Sequence, residues 1–172
     1  ASRYASVEMT ALWAAEHKVV LERRLWVAVL RAQRELGLDV PIEVIEAYEG
    51  VVDQVSLESI ALRERVTRHD VKARIEEFSD LAGHEHIHKG MTSRDLTENV
   101  EQLQVRRSLE VVRDRAVAAL VRLGRLAAEH ELTVMAGRSH NVAAQATTLG
   151  KRFATIAEEM FIGVQRIEEL RE

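Results

Sequence analysis

An all-α protein is what this sequence predicts, and three observations carry that reading. Helix breakers are scarce, since only one of the 172 residues is proline and eight are glycine, so helices can run long. Ala, Leu, Glu, Arg and Val dominate while aromatic residues make up 4%, a mixture that favours helix over sheet. Apolar residues recur near the helical period along most of the chain. Hydrophobic residues at 47% and charged residues at 30% suit a folded globular chain and argue against disorder. The length suffices for one or at most two domains with a real core.

The first helix is expected over about Ser6–Leu36, where Leu12, Val19, Val20, Trp26, Val27, Leu30 and Leu36 keep helical spacing. Gly37 stands where a left-handed C-terminal cap is expected, and Pro41 opens the next element. Short helices follow over Ile42–Glu49, over Val55–Val66 with a face of Leu57, Ile60, Ala61 and Glu64, and over Asp70–Leu81, closed by Gly83. The longest helix is expected over Thr92–His130, through Leu96, Val100, Leu103, Val111, Val112, Ala119 and Leu123. A rod of that length spans roughly 50–60 Å at ~1.5 Å per residue, too long for a small domain to bury alone, so a bundle is expected, shared between subunits. A polar turn at Ala136–Asn141 precedes a final helix with Phe153, Ile156, Met160, Val164 and Ile167 on one stripe. The expected organisation is an N-terminal helical domain over residues 1–91 and the opening of a long-helix bundle over residues 92–172.

Several function classes drop out. A net charge of −4 gives no electrostatic reason to expect nucleic acid. The absence of cysteine excludes disulfides, thiolate zinc and cysteine nucleophiles, and fits an intracellular, cytoplasmic protein. No apolar run is long enough for a membrane span, and Ala1-Ser2-Arg3-Tyr4 lacks a signal-peptide core, so no membrane partner is expected.

Four polar clusters remain. His84-Glu85-His86-Ile87-His88 matches the H-E-x-x-H zinc signature, which needs a helix placing both histidines on one face. Gly83 and Gly90 bracket the segment within two turns, and no third ligand follows, so a solvated polar turn is expected and no metal. Thr92-Ser93-Arg94-Asp95 fits a capping pattern ahead of the longest helix. The same N-terminus, with free N–H groups and a positive dipole end, is equally suited to an anion. Thr67-Arg68-His69-Asp70 sets a cation, an imidazole and a carboxylate at a helix boundary. It is either an anion site or simply Asp70 capping a helix with Arg68 and His69 exposed. Ser139-His140, followed by Gln145 and Thr147-Thr148, offers a histidine suited to general acid–base work, although a lone loop histidine is more often a bystander.

Taken in order, these elements resemble a known family. Arg3-Tyr4 with Glu8-Met9, Thr67-Arg68-His69-Asp70-Val71, His88-x-Gly90-x-Thr92-Ser93-x-Asp95, and Gly137-Arg138-Ser139-His140 with Gln145-x-Thr147-Thr148-x-Gly150-Lys151-Arg152 closely resemble the adenylosuccinate lyases of the fumarase/aspartase superfamily. The resemblance covers essentially the whole chain. It departs at Ala146, where the family usually has proline, and at Val142, often glutamine.

The resemblance implies β-elimination of fumarate from adenylosuccinate and from the succinyl-carboxamide intermediate of purine synthesis. It makes His140 the general acid and places Arg3, Tyr4, Arg68, His69 and Asp70 at nucleotide-binding positions. Thr92 and Ser93 become donors to substrate oxygens, with His88, Ser139 and Gln145 in support. It implies a nucleotide-sized substrate, no metal or organic cofactor, and a homotetramer whose active sites draw on three subunits. The superfamily's serine-rich loop, which carries the general base, does not occur here, and the last apolar stripe stops mid-pattern at Arg171-Glu172. The expectation is therefore the N-terminal portion of a longer enzyme, inactive by itself. Another lyase of the superfamily and a non-catalytic helical module are the alternative readings, and only the latter would tolerate alanine at His69, Thr92, Ser93 and His140 together.

Overall fold

The computed structural model describes residues 3–171. It divides into two compact units, the first ending at Val105 and the second beginning at Arg106. The expected helical architecture is observed, with seven helices and one two-stranded ribbon among the described residues.

In the first unit the single helix expected over Ser6–Leu36 is two. α1 covers Val7–Leu12 and α2 covers Ala15–Glu35, with Ala14 in an extended conformation between them. No glycine or proline marks the break. The reason is tertiary: the Leu12 carbonyl, which a continuous helix would pair with the residue-16 amide, instead accepts the side-chain amide of the buried Gln104 at 2.8 Å. α2 ends as expected, with Gly37 at φ 85° and the Gly37 and Leu38 amides returning to Arg34 and Gln33. This is the paired capping that a left-handed glycine allows. Leu36, expected on the buried face, lies at the cap and is exposed.

α3 (Ile42–Gly50) follows Pro41, α4 (Leu57–Thr67) is capped by the Ser56 hydroxyl, and α5 (Asp70–Ala82) ends at Gly83 with φ 72°. Of the face expected on α4, Ile60 is buried and Leu57 half-buried, whereas Ala61 and Glu64 are exposed. The core gathers Trp26, Val27 and Leu30 of α2, Val44, Ile45 and Tyr48 of α3, and Val71 and Phe78 of α5, with Ile87 and Leu96. Each such side chain contributes roughly 1.5–3 kcal/mol by leaving water. A smaller cluster joins Val19, Ile60 and Ala73.

α6 runs Ser93–Glu129, 37 residues without a break, as the apolar spacing predicts, and passes from the first unit into the second. Beyond it the expected loop is a hairpin. β1 (Val134–Ser139) pairs antiparallel with β2 (Val142–Thr148), with a bulge between Gly137 and Arg138 and a two-residue turn at His140-Asn141. α7 (Leu149–Arg171) completes the second unit. Of its expected stripe only Val164 is buried, while Phe153, Met160 and Ile167 are half-buried and Ile156 is exposed. No helix among the described residues is long and apolar enough to cross a membrane.

Gly150 fixes how α7 begins. Its amide donates to the His130 carbonyl at 2.9 Å, so close to the end of α6 that a Cβ would lie 2.8 Å from the Glu131 amide nitrogen and Cα and would also meet the Ala127 carbonyl oxygen. Gly163, in the middle of α7, has nothing within 4 Å of a built Cβ. Gly150→Ala should therefore cost about 1–3 kcal/mol of unfolding free energy through backbone displacement. Gly163→Ala should gain up to about 1 kcal/mol through helix propensity. Denaturant unfolding of both variants checks this, and equal effects at the two sites would contradict the packing described.

Candidate active site

The junction of α4 and α5 is built by His69. Arg68 leaves α4 in the left-handed region at φ 54°, and His69 turns extended to cap α5, its Nδ1 accepting the Lys72 amide at 3.3 Å. Thr67 staples the turn, its hydroxyl donating to the His69 carbonyl at 3.1 Å and accepting the His69 amide at 3.3 Å. The cap is thus His69, and Asp70, the cap in one of the two sequence readings, is the first helical residue. A nitrogen that accepts carries no proton, so the neutral His69 ring is protonated at Nε2. That nitrogen reaches the Ser93 hydroxyl at 3.5 Å. The Asp70 carboxylate lies 3.7 Å from Nδ1 and becomes an ionic partner only if the ring protonates, at the expense of the Lys72 cap.

Ser93 opens α6, so His69 brings two helix N-termini together. Thr92 holds the capping position, and the Asp95 carboxylate reaches back to its amide at 2.7 Å, half of a capping box. The carboxylate occupies one of the orphan donors at this helix end, and the Thr92 side chain remains exposed. Just before it, Gly90 takes φ 76° and His88 takes φ 67°. His88 Nδ1 accepts the Trp26 indole N–H at 3.1 Å. Burial holds His88 below its ordinary value, with Asp95 opposing and His69 reinforcing that shift.

His84 and His86, the other histidines of the zinc-like signature, lie outside any helix, as the sequence reading expects, with their rings 6.5 Å apart. Burial and the nearby Lys89 lower His86.

Beneath these groups lies a buried ionic layer that sequence reasoning missed. Arg23 is fully buried, paired with Glu77 on α5, donating to the Val51 and Val52 carbonyls at 3.0 Å each, and stacked 4.6 Å from the Phe78 ring. Glu77 also accepts the Ser56 amide at 3.3 Å. Beside it Arg74 bridges the buried Glu22 at 2.7 Å and Asp70 at 2.8 Å. A chain of charge therefore runs from Glu22 through Arg74 to Asp70, next to His69. Nothing in the run Glu22-Arg23-Arg24 marks the first two as interior.

Of the remaining candidates, Ser139, His140 and Gln145 lie in the second unit and Arg3 and Tyr4 in the first. His140 and Asn141 form the hairpin tip at φ 50° and 65°, with Ser139 and Gln145 on the flanking strands, all exposed. Arg3 and Tyr4 sit in an exposed turn ahead of α1, Tyr4 at 89% exposure. Among the described residues the four positive-φ non-glycine positions, Arg68, His88, His140 and Asn141, fall inside the polar segments that the sequence singles out. Such conformations cost of order 1 kcal/mol or more each; at Arg68 the left-handed residue ends α4, and at His140-Asn141 it turns the hairpin.

A family model described as a lyase matches residues 6–172. The adenylosuccinate lyase of Methanocaldococcus jannaschii is 34% identical over 175 residues, covering 98% of this chain and 37% of that protein. The adenylosuccinate lyase of Schistosoma mansoni is 29% identical, covering 98% of this chain and 36% of its own length. The chain thus spans less than two fifths of these relatives. In structure it superposes on a 3-carboxy-cis,cis-muconate lactonizing enzyme from Pseudomonas putida with a TM-score of 0.88 at 20% identity, over 99% of this chain and 40% of that one, a likeness of fold alone.

Burial raises the Glu22 carboxyl above its ordinary 4.5, with Arg74 partly opposing, and Oε2 has no hydrogen-bond partner among the described residues. The folded chain keeps this proton to higher pH than the unfolded chain does. Its stabilising contribution is therefore fully present below 4.5 and is lost as pH rises through the folded-state value. Glu22→Gln, which cannot ionise, should become progressively more stable relative to wild type as pH rises through that window. A pH series of unfolding curves measures it, and a constant difference would place the carboxyl in water.

Proposed function

The chain belongs to this lyase family, and from that premise we propose that it supplies the substrate-binding N-termini and the general acid of an adenylosuccinate lyase. The reaction is β-elimination: a base removes a proton beside a carboxylate, the carbon–nitrogen bond breaks, and an acid protonates the departing nitrogen. Fumarate and AMP leave from adenylosuccinate, and the succinyl-carboxamide intermediate SAICAR is split in the same way. The similarity to named adenylosuccinate lyases across 98% of the chain supports this substrate class.

The observation that carries the reading is the meeting of two helix N-termini at His69 and Ser93, 3.5 Å apart. Helix N-termini favour anions, through free N–H groups and the dipole. A substrate that is both phosphorylated and dicarboxylic needs several such places. Arg68, His69 and Asp70, with Arg3 and Tyr4, bind the nucleotide portion. Thr92 and Ser93 donate to oxygens where charge develops, which is where donors accelerate elimination. His88, Ser139 and Gln145 support them. His140, at the tip of the β1–β2 hairpin, is the acid. Its exposed ring on a hydrogen-bonded ribbon can approach a leaving nitrogen that belongs to a substrate held elsewhere. The base is a serine outside these residues, and the active assembly is a cytoplasmic homotetramer with shared sites, needing no cofactor.

Three outcomes follow. Fumarate release, followed by chromatography, should be absent for the 172-residue chain alone and present when it stands within a polypeptide of its relatives' length. Release by the isolated chain, abolished in His140→Ala, would place the base within it. In the longer polypeptide His140→Gln should lower turnover roughly 10²–10⁴-fold with less effect on binding, and near-normal turnover would remove His140 from the acid role. Arg68→Ala or His69→Ala should weaken AMP binding in calorimetric titration, through loss of anion contacts. Unchanged affinity in both would return that cluster to capping alone. Elimination from some other succinyl adduct, with adenylosuccinate left intact, would favour another lyase of the superfamily.

A further inference from the structure

The Trp26 indole is held on every side. It is 1% exposed, stacked on Phe78 with centroids 6.2 Å apart, and meets the His88 ring edge-on at 5.9 Å and 86°. An indole N–H can only donate, and a buried one is costly to leave unpaired. Its acceptor is His88 Nδ1 at 3.1 Å, sixty-two positions away in sequence. This bond decides where the His88 proton resides. While Nδ1 accepts, it carries no hydrogen, so the neutral ring is protonated at Nε2. Protonating the ring would set two donors against each other in the core, and burial of the ring opposes the charge in the same direction.

His69 shows the same logic, its Nδ1 tied to the Lys72 amide and its Nε2 left to meet Ser93. For His88 the inward donor is a side chain, so it can be replaced without touching the backbone. The left-handed turn at His88 and Gly90, φ 67° and 76°, leads directly into Thr92 and Ser93.

The geometry points to Trp26 as a positioning residue that fixes His88 as its Nε2–H tautomer, so that the ring serves the α6 N-terminus as a neutral hydrogen-bond donor to a substrate oxygen. The donor role rests on the lyase reading, whereas the tautomer is read without substrate, so the two fail separately.

The test is nitrogen-15 NMR of the histidine-labelled chain above neutral pH, with His88→Ala assigning the His88 signals. Wild type should show Nε2 protonated and Nδ1 bare. Trp26→Phe keeps an aromatic ring against Phe78 but removes the donor, and should shift His88 to a mixture of both tautomers. A wild-type ring protonated at Nδ1, or a tautomer unchanged in a folded Trp26→Phe, would overturn the inference. If that variant does not fold, the same bond is read from its other end. The Trp26 indole proton should move in His88→Ala while the Trp13 indole proton does not. An unmoved Trp26 signal would equally overturn it.

Discussion

The buried guanidinium of Arg23 is the constraint on which the first unit depends. An unpaired charge in the interior is prohibitively costly, so everything around Arg23 must be placed to meet it. Glu77 brings α5 against α2, the Val51 and Val52 carbonyls hold the segment after α3, and Phe78 covers the guanidinium face. Removing Glu77 alone would leave that charge uncompensated, at a cost of about 3–5 kcal/mol. Hydrophobic burial drives the collapse, but it is non-directional. The ion pair and its two carbonyls set the rotation of α5 about its own axis, and the N-terminus of α5 carries His69.

From that placement the polar site follows. The cap of α5 is an imidazole where serine or aspartate is commoner, and the choice has a consequence. A serine cap spends its oxygen on the backbone, whereas histidine caps with one nitrogen and presents the other. His88 repeats this with the Trp26 indole as the inward donor. Each ring thus spends one nitrogen on an inward donor and keeps the other for the surroundings of a helix N-terminus, a setting complementary to carboxylate or phosphate oxygens. Arg74, between Glu22 and Asp70, carries the support from the core to that rim.

Much of this was legible in the sequence, and the exceptions have physical causes. The helices, the Gly37 and Gly83 caps and the 37-residue α6 follow from period and punctuation. The break at Ala14 does not, because it is made by Gln104, ninety-two residues from the carbonyl it captures. The hairpin is hidden because Ala143, Ala144 and Ala146 favour helix and its faces are exposed, so alternation is weak. The only local hint is His140-Asn141, two residue types that tolerate positive φ. The polar clusters are visible as motifs, and the meeting of His69 with Ser93 is in keeping with their order along the chain. Trp26 reads as ordinary core, since a donor's acceptor cannot be seen from spacing. Glu22 and Arg23 are invisible for a related reason: charged residues are rarely fully buried unless paired, and pairing is a property of the fold.

The Arg23 interaction holds the N-terminus of α5, and with it the capping His69, in place. Hydrogen exchange at the Lys72 amide reports this directly, because that amide donates to the His69 ring. Arg23→Met keeps much of the side-chain volume and removes the charge, so Lys72 should lose protection well ahead of the amides in the middle of α3. If Lys72 keeps its wild-type protection in a folded Arg23→Met protein, the capping histidine is held by local turn geometry alone, and the buried charge is not what positions the site.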